Sequence, residues 1–358
     1  LPDGTHRDLT GGWHSAGDYN KIVYEYGDGG AMYALIGAAE AGSFPADRDG
    51  DGVSDILDEA WWGAKFMAKV QVPETGGLLG NIQQGPDRKT WMNWVRPEET
   101  TDNTPGTADD PVVQEGEGRS PLAIAGWARL GALLQKQGRA NDYVERACKL
   151  WEHATAGGTG GFDPLLLVAT LDLHRVTNDP RHLDYARRVV KEQLELVAKE
   201  RVLRGGTGDS GDLPAGALAY FVLERPDDES AASLRGLLAA YLPFLIAEAG
   251  NPFGLMRQKP GTDGWYFEPT SALGANNQLF LRAWAACLIY RVTGDRRGLA
   301  YAVDQLDFVL GKNPYDLCMM EGLGTVNPPR YHHRYDAIPG HERGAVPGCV
   351  PNGFVRDM

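Results

Sequence analysis

Two distant stretches of the chain close one helix and open the next with nearly the same residues. Arg175-Val176-Thr177-Asn178-Asp179-Pro180-Arg181-His182-Leu183-Asp184-Tyr185-Ala186 recurs as Arg291-Val292-Thr293-Gly294-Asp295-Arg296-Arg297-Gly298-Leu299-Ala300-Tyr301-Ala302. Asn178 or Gly294 can enter the left-handed conformation that ends a helix, and Asp179 or Asp295 can then accept from the free N–H groups of the helix that follows. The repeated unit is an antiparallel helix pair. A looser third junction runs from Gln137 to Tyr143, with Asn141 or Asp142 as its cap. Chains made of such pairs stack into an open solenoid or close into a toroid.

Apolar residues spaced three and four apart predict helices over 31–41, 56–70, 121–137, 141–154, 164–176, 180–203, 214–223, 230–249, 276–293 and 296–310. They are rich in Ala and Leu, so the fold class is all-α. The connections at 72–119, 204–213, 250–275 and 311–358 are long and irregular. Loops of that length are usually functional, which favours a toroid whose loops gather at one end as a cleft. With 358 residues and 42% hydrophobic content the chain could make one large domain or two ordinary ones, and no stretch reads as a linker. A single domain over 1–358 is expected.

The net charge of -13 speaks against nucleic acid as a partner, since that affinity comes mainly from Lys and Arg on phosphates. No run of about 18 consecutive apolar residues is present, so no membrane span is expected. Leu1-Pro2-Asp3-Gly4 does not read as a signal peptide. Cys148, Cys287, Cys318 and Cys349 lie far apart with no C-x-x-C pair, which argues against a zinc cluster or thioredoxin-type site. Free thiols are expected, with Cys318 and Cys349 the pair open to a disulfide.

The chemistry concentrates in Gly11-Gly12-Trp13-His14-Ser15-Ala16-Gly17-Asp18-Tyr19-Asn20-Lys21. Its glycines permit turn conformations and the close approach of a ligand. Trp13, His14 and Tyr19 set aromatic surface beside the carboxylate of Asp18, a combination suited to a sugar ring stacked by its C–H face. The alternative is an ordinary turn whose Trp13 packs on the core.

This loop resembles that of glycoside hydrolase family 9, and so do Asp55-Ile56-Leu57-Asp58-Glu59-Ala60, Gly274-Ala275-Asn276-Asn277, Thr293-Gly294-Asp295, Leu310-Gly311-Lys312-Asn313-Pro314 and Pro328-Pro329-Arg330-Tyr331-His332-His333-Arg334, in the family's order. The resemblance implies an (α/α)6 barrel, inverting hydrolysis of β-1,4-glycosidic bonds in a β-glucan, no organic cofactor and a secreted protein. It makes Asp18 the general base and His332, His333 and Arg334 holders of the sugar. Ser15 stands where the family has a second aspartate, and so becomes a water-positioning group without charge. The family's acidic glutamate falls beyond Met358, its first barrel helix precedes the Gly-Gly-Trp loop, and neither Glu321 nor Glu342 sits in the acid motif. Related members act on amino-sugars, so an exo-acting glucosaminidase on chitosan oligosaccharides is the alternative substrate reading. A carbohydrate-binding relative weakened in catalysis is the alternative class.

Asp47-Arg48-Asp49-Gly50-Asp51-Gly52-Val53-Ser54-Asp55-Ile56-Leu57-Asp58 follows the EF-hand pattern at positions one, three, five and six, with Val53 at seven, Asp55 at nine and Asp58 at twelve. A structural calcium is expected there, the alternative being an acid-rich helix start. Trp91, Trp94, Trp265 and Tyr266 fall in loops and are expected as sugar platforms. Trp61, Trp62, Trp127, Trp151 and Trp284 fall on helices and are expected in the core. Asp109, Asp110, Glu115 and Glu117 give one loop a negative face open to a cationic amino-sugar.

Overall fold

The computed structural model describes residues 1–15, 21–23, 27–42, 44–84, 104, 107, 110–157, 162–200, 213–255, 276–331, 333, 336 and 339–354. Among them the helices are α1 (Asp28–Glu40), α2 (Asp55–Val70), α3 (Pro121–Lys136), α4 (Tyr143–Thr155), α5 (Pro164–Thr177), α6 (Pro180–Glu200), α7 (Leu213–Glu224), α8 (Ala231–Glu248), α9 (Asn276–Thr293) and α10 (Arg296–Leu310). Every helix expected from periodicity is present; residues 201–203 lie outside the described residues, and the other ends move by three residues or fewer. The long connection after α2 holds short strands that periodicity does not reveal. β1 (Leu78–Leu79) pairs antiparallel with β4 (Glu117–Gly118), and β2 (Ile82–Gln84) with β3 (Val112–Val113). Two or three residues are too few to register a period.

The junctions form as their residues require. Asn178 has φ 56° and Gly294 φ 74°. The Asp179 carboxylate accepts from Arg181 N at 2.9 Å, and that of Asp295 from Arg297 N at 3.0 Å. At the third junction Asn141, not Asp142, makes the local bond, accepting from Tyr143 N at 3.2 Å. Asp142 pairs with Arg146 instead, at 2.8 Å.

The chain divides into two compact units: one of Leu1–Gly160, Val168–Ala186 and His332–Tyr335, the other of Gly161–Leu167, Arg187–Tyr331 and Asp336–Met358. In the first, α1 packs on α2 and α3, and α3 on α4. Met32 and Ile36 of α1, Ala60, Ala64 and Met67 of α2, and Trp127 and Leu130 of α3 are fully buried there. A buried charged group crosses this core: Arg129 of α3 pairs with Glu40 of α1, while Arg175 holds the fully buried Asp172 of α5 at 2.9 Å.

In the second unit α9 packs on α7, α8 and α10. Gly216 permits the closest approach, since a Cβ there would lie 2.3 Å from the Trp284 ring. A C-terminal cluster of Leu255, Leu279, Phe308, Val309 and Met319 is capped by Phe253, Val350 and Phe354. Asn276 and Asn313 serve the backbone here. Asn276 donates from Nδ2 to Pro351 O at 2.9 Å, and Asn313 from Nδ2 to Phe308 O and Leu317 O at 2.9 and 2.7 Å.

α8 is long and apolar enough, by length and composition, to cross a membrane, because its many alanines and leucines outweigh Arg235 and Glu248. Within its unit it buries Leu234, Leu238, Leu242 and Leu245 on one side. One expectation needs correction: Trp62, expected in the core, is 50% exposed. Neighbouring helix residues point about 100° apart, so Trp61 and Trp62 cannot share one face. The four thiols are free, with Cys318 buried.

Candidate active-site loop and aspartate loop

The Gly-Gly-Trp loop is tied down from three directions within the first unit. α2 holds its leading arm: Lys69 Nζ donates to Asp8 Oδ2 and Thr10 O at 2.8 Å each, and Trp62 Nε1 to Gly12 O at 3.2 Å. Trp13 lies over Gly63, where a Cβ would come within 2.3 Å of the indole, and its Nε1 donates to Glu59 Oε1 at 2.7 Å. From the start of α1, Asp28 Oδ1 accepts from Trp13 N at 2.7 Å. The returning arm bonds to β2, Lys21 N to Ile82 O at 3.1 Å and Ile82 N to Lys21 O at 3.0 Å, while Val23 N donates to the buried Asn81 Oδ1 at 2.9 Å.

Two further bonds join the arms. Lys21 Nζ donates to Gly11 O, and Ile22 N donates to Ser15 Oγ at 2.7 Å. Ser15 therefore accepts from the backbone and keeps its own hydroxyl hydrogen for another partner. Asp18 and Tyr19 lie outside the described residues, between these closures. So do Trp91, Trp94, Trp265, Tyr266, His332 and Arg334.

His14 and His333 come close enough for their charges to interact. Burial of its ring, then the charges of Lys21 and His333, hold the His14 imidazole below its ordinary pKa, although the residue as a whole is exposed. Burial likewise lowers Lys21, whereas Asp28, 2% exposed, is raised to about 6 by burial against the opposing pull of the Trp13 amide and Lys21. Of the residues that hold this loop, Trp62 is expected in the core, Glu59 and Lys21 enter the sequence reading only within motifs, and Asp28 does not enter it at all. Only the adjacent Trp61-Trp62 pair carried a signal, because one of two neighbouring helix residues must turn away from the core.

In the second unit, the strap leading to His332 is pinned at Glu321. Tyr331 Oη donates to Glu321 Oε2 at 2.6 Å, and Arg343 donates to Oε1 and Oε2 at 3.2 and 3.0 Å. Arg343 also reaches Pro328 O at 2.9 Å. Tyr331 and Arg343 hold the Glu321 carboxyl below its usual range.

The carboxylates of Asp47, Asp49 and Asp51 converge, one oxygen of each lying within 4.8 Å of the others. Gly50 and Gly52, at φ 73° and 89°, turn their N–H groups onto Asp47, at 2.8 and 3.0 Å. Asp51 also meets Arg139 at 2.9 Å. Asp55 accepts from Arg48 N at 2.9 Å and pairs with its guanidinium, while Val53 is fully buried. Burial, then the charges of Asp51, Asp49, Asp47 and Asp55, raise Asp58, so it shares their negative field. Three converging carboxylates and a neighbouring acid suit a hard cation.

Fold and loop together describe an all-α protein of paired helices that presents an acid-bearing aromatic loop. The profile of Glycosyl hydrolase family 9 matches residues 2–355, and the chain belongs to that family. It is 26% identical over 364 residues to Endoglucanase C of Cellulomonas fimi, covering 92% of this chain and 31% of that protein. To Endoglucanase 14 of Arabidopsis thaliana it is 26% identical over 394 residues, covering 99% of this chain and 75% of the relative.

Among solved structures it resembles a metagenome-derived glycoside hydrolase family 9 endoglucanase, with TM-score 0.69, 22% identity, and coverage of 98% of this chain and 63% of that one. It also resembles AaCel9A in complex with cellobiose-like isofagomine, with TM-score 0.71, 21% identity, and coverage of 98% and 66%. These likenesses establish the fold class, the all-α (α/α)6 barrel. The chain thus spans under a third of the bacterial relative and a little under two thirds of the metagenome-derived structure.

Proposed function

We propose that this chain, as a single catalytic domain, hydrolyses β-1,4-glycosidic bonds of a glucan with inversion. The observation that carries the reading is the family match over residues 2–355, supported by a Gly-Gly-Trp loop clamped on both sides of Asp18. Asp18 takes a proton from water as that water's oxygen bonds to C1. The bond from C1 to the leaving oxygen breaks, and a carboxylic acid about 6.5–9.5 Å from the base protonates that oxygen.

The acid is not assigned to a residue of this chain. Glu321 is unsuited to it, because Tyr331 and Arg343 favour its ionised form. Ser15 contributes a hydroxyl to the water, and His332, His333 and Arg334 hold the sugar at the cleaved position. Trp13, His14, Tyr19, Trp91, Trp94, Trp265 and Tyr266 make up the rest of the sugar surface. Trp13 offers what its contact with Gly63 leaves open.

The same reading includes secretion, no organic cofactor, no nucleic-acid or membrane partner, and a structural calcium on Asp47, Asp49 and Asp51. The converging carboxylates support the calcium. Asp55 would join only after it leaves Arg48, and the Val53 carbonyl and Asp58 complete the expected ligand set.

The test is product release from cello-oligosaccharides and chitosan oligosaccharides, run beside Asp18→Ala. Cleavage of the glucan, abolished in the mutant while oligosaccharide binding stays within a few-fold, is the expected outcome. Cleavage of chitosan alone selects the glucosaminidase, and binding without cleavage by either protein selects the binding-only relative. Activity that survives in the mutant removes Asp18 as the base.

A further inference from the structure

Asp28 is the buried acid nearest the clamped loop, and it is only half used. Oδ1 accepts the Trp13 N–H at 2.7 Å, while Oδ2 is buried without a hydrogen-bond partner among the described residues. A carboxylate so placed is costly, because burial removes water from an oxygen that nothing replaces. The Lys21 charge acts against that cost, and the charges of Asp8 and Lys69 act on Lys21 in turn. Lys21 in turn donates to Gly11 O and lies 4.7 Å from the centre of the Phe66 ring.

The loop comes this close only because residue 12 is glycine. A Cβ there would fall 2.5 Å from Asp28 Oδ1 and 2.4 Å from the Phe66 ring, and its φ of 68° is one that L side chains rarely adopt. Trp13 and Lys21, both in contact with or facing Asp28, stand on either side of Asp18 in the chain. A carboxylate at the first residue of α1 would favour that helix by itself. The helix, however, requires neither the loop amide nor a half-buried lysine nearby.

We propose that Asp28 is a positioning residue: through Trp13 N–H and Lys21 it sets the placement of the loop carrying Asp18, and so the geometry of water attack. The proposal rests on the reading of Asp18 as base. Its effect belongs to the chemical step, since misplacing a reacting group by about 1 Å can cost on the order of 100-fold in rate.

The experiment compares wild type, Asp28→Ala, Asp28→Asn and Lys21→Met by kcat and KM on a soluble cello-oligosaccharide. Amide hydrogen exchange of the peptide over residues 11–15 is measured on the same proteins. Asp28→Ala is expected to lower kcat by roughly 10-fold or more with KM within about threefold, and to speed exchange in that peptide. Asp28→Asn keeps an oxygen for the Trp13 amide and is expected to recover most of both.

An Ala variant with unchanged kcat and unchanged exchange overturns the proposal, as does an Asn variant no better than Ala. Should Asp28→Ala fail to fold, Lys21→Met decides. It keeps the aliphatic stem on Phe66 and loses the bond to Gly11, so unaltered kcat and exchange in it also reject the clamp. If wild type cleaves no glucan, the functional reading fails separately. Exchange over 11–15 then decides on Asp28, with unchanged protection in Asp28→Ala rejecting it.

Discussion

At the scale of single residues, the same buried carboxylate ties loop architecture to pH. Burial raises Asp28 from 3.8 to about 6, so the folded protein binds this proton more tightly than the unfolded chain does. Its contribution to stability is full below the unfolded pKa and is lost as pH rises through the folded one. Asp28→Asn has no such proton. The melting temperature of wild type relative to Asp28→Asn should therefore fall between about pH 4 and pH 7.5, and a difference that stays constant over this range contradicts the assignment. Trp13 and Trp62 show how little a residue type says about its role. Trp13 is laid on Gly63 and donates to Glu59, while Trp62, on the helix below, is exposed and donates to Gly12.

At the scale of elements, helix junctions and one strap share a device: a single polar side chain fixes the residues around it. Asp179, Asp295 and Asn313 each accept from N–H groups within four residues of themselves. Glu321 acts over a longer range and joins Tyr331 to Arg343. That strap runs on to His332, His333 and Arg334, the proposed sugar holders. Glu321→Gln should raise KM by roughly 3- to 10-fold while changing kcat little, the pattern of lost ground-state binding. A loss of kcat of about 1000-fold or more with an altered basic limb would instead make Glu321 the missing acid, against the ionised state that Tyr331 and Arg343 favour.

At the scale of the whole molecule, the net charge of -13 and the converging aspartates at 47–51 make stability sensitive to cations. A chelator should lower the melting temperature, and excess Ca2+ should restore it; a melt indifferent to both counts against a structural ion. The ten helices among the described residues, their two matching junctions and the motifs of the family are legible in the sequence, because helical period and capping depend on residues a few positions apart. The sequence did not reveal the strands at 78–84 and 112–118, which are too short to carry a period, nor that α8 combines membrane-like apolarity with a leucine face buried in its unit. Nor did it disclose the loop clamp. That Asp28 would be buried against Trp13 N, and that Gly12 and Gly63 would admit the loop to α1 and α2, follow from how these segments pack. Those contacts join residues far apart in the chain, and the direction of each side chain follows from how its helix is rotated against its neighbours.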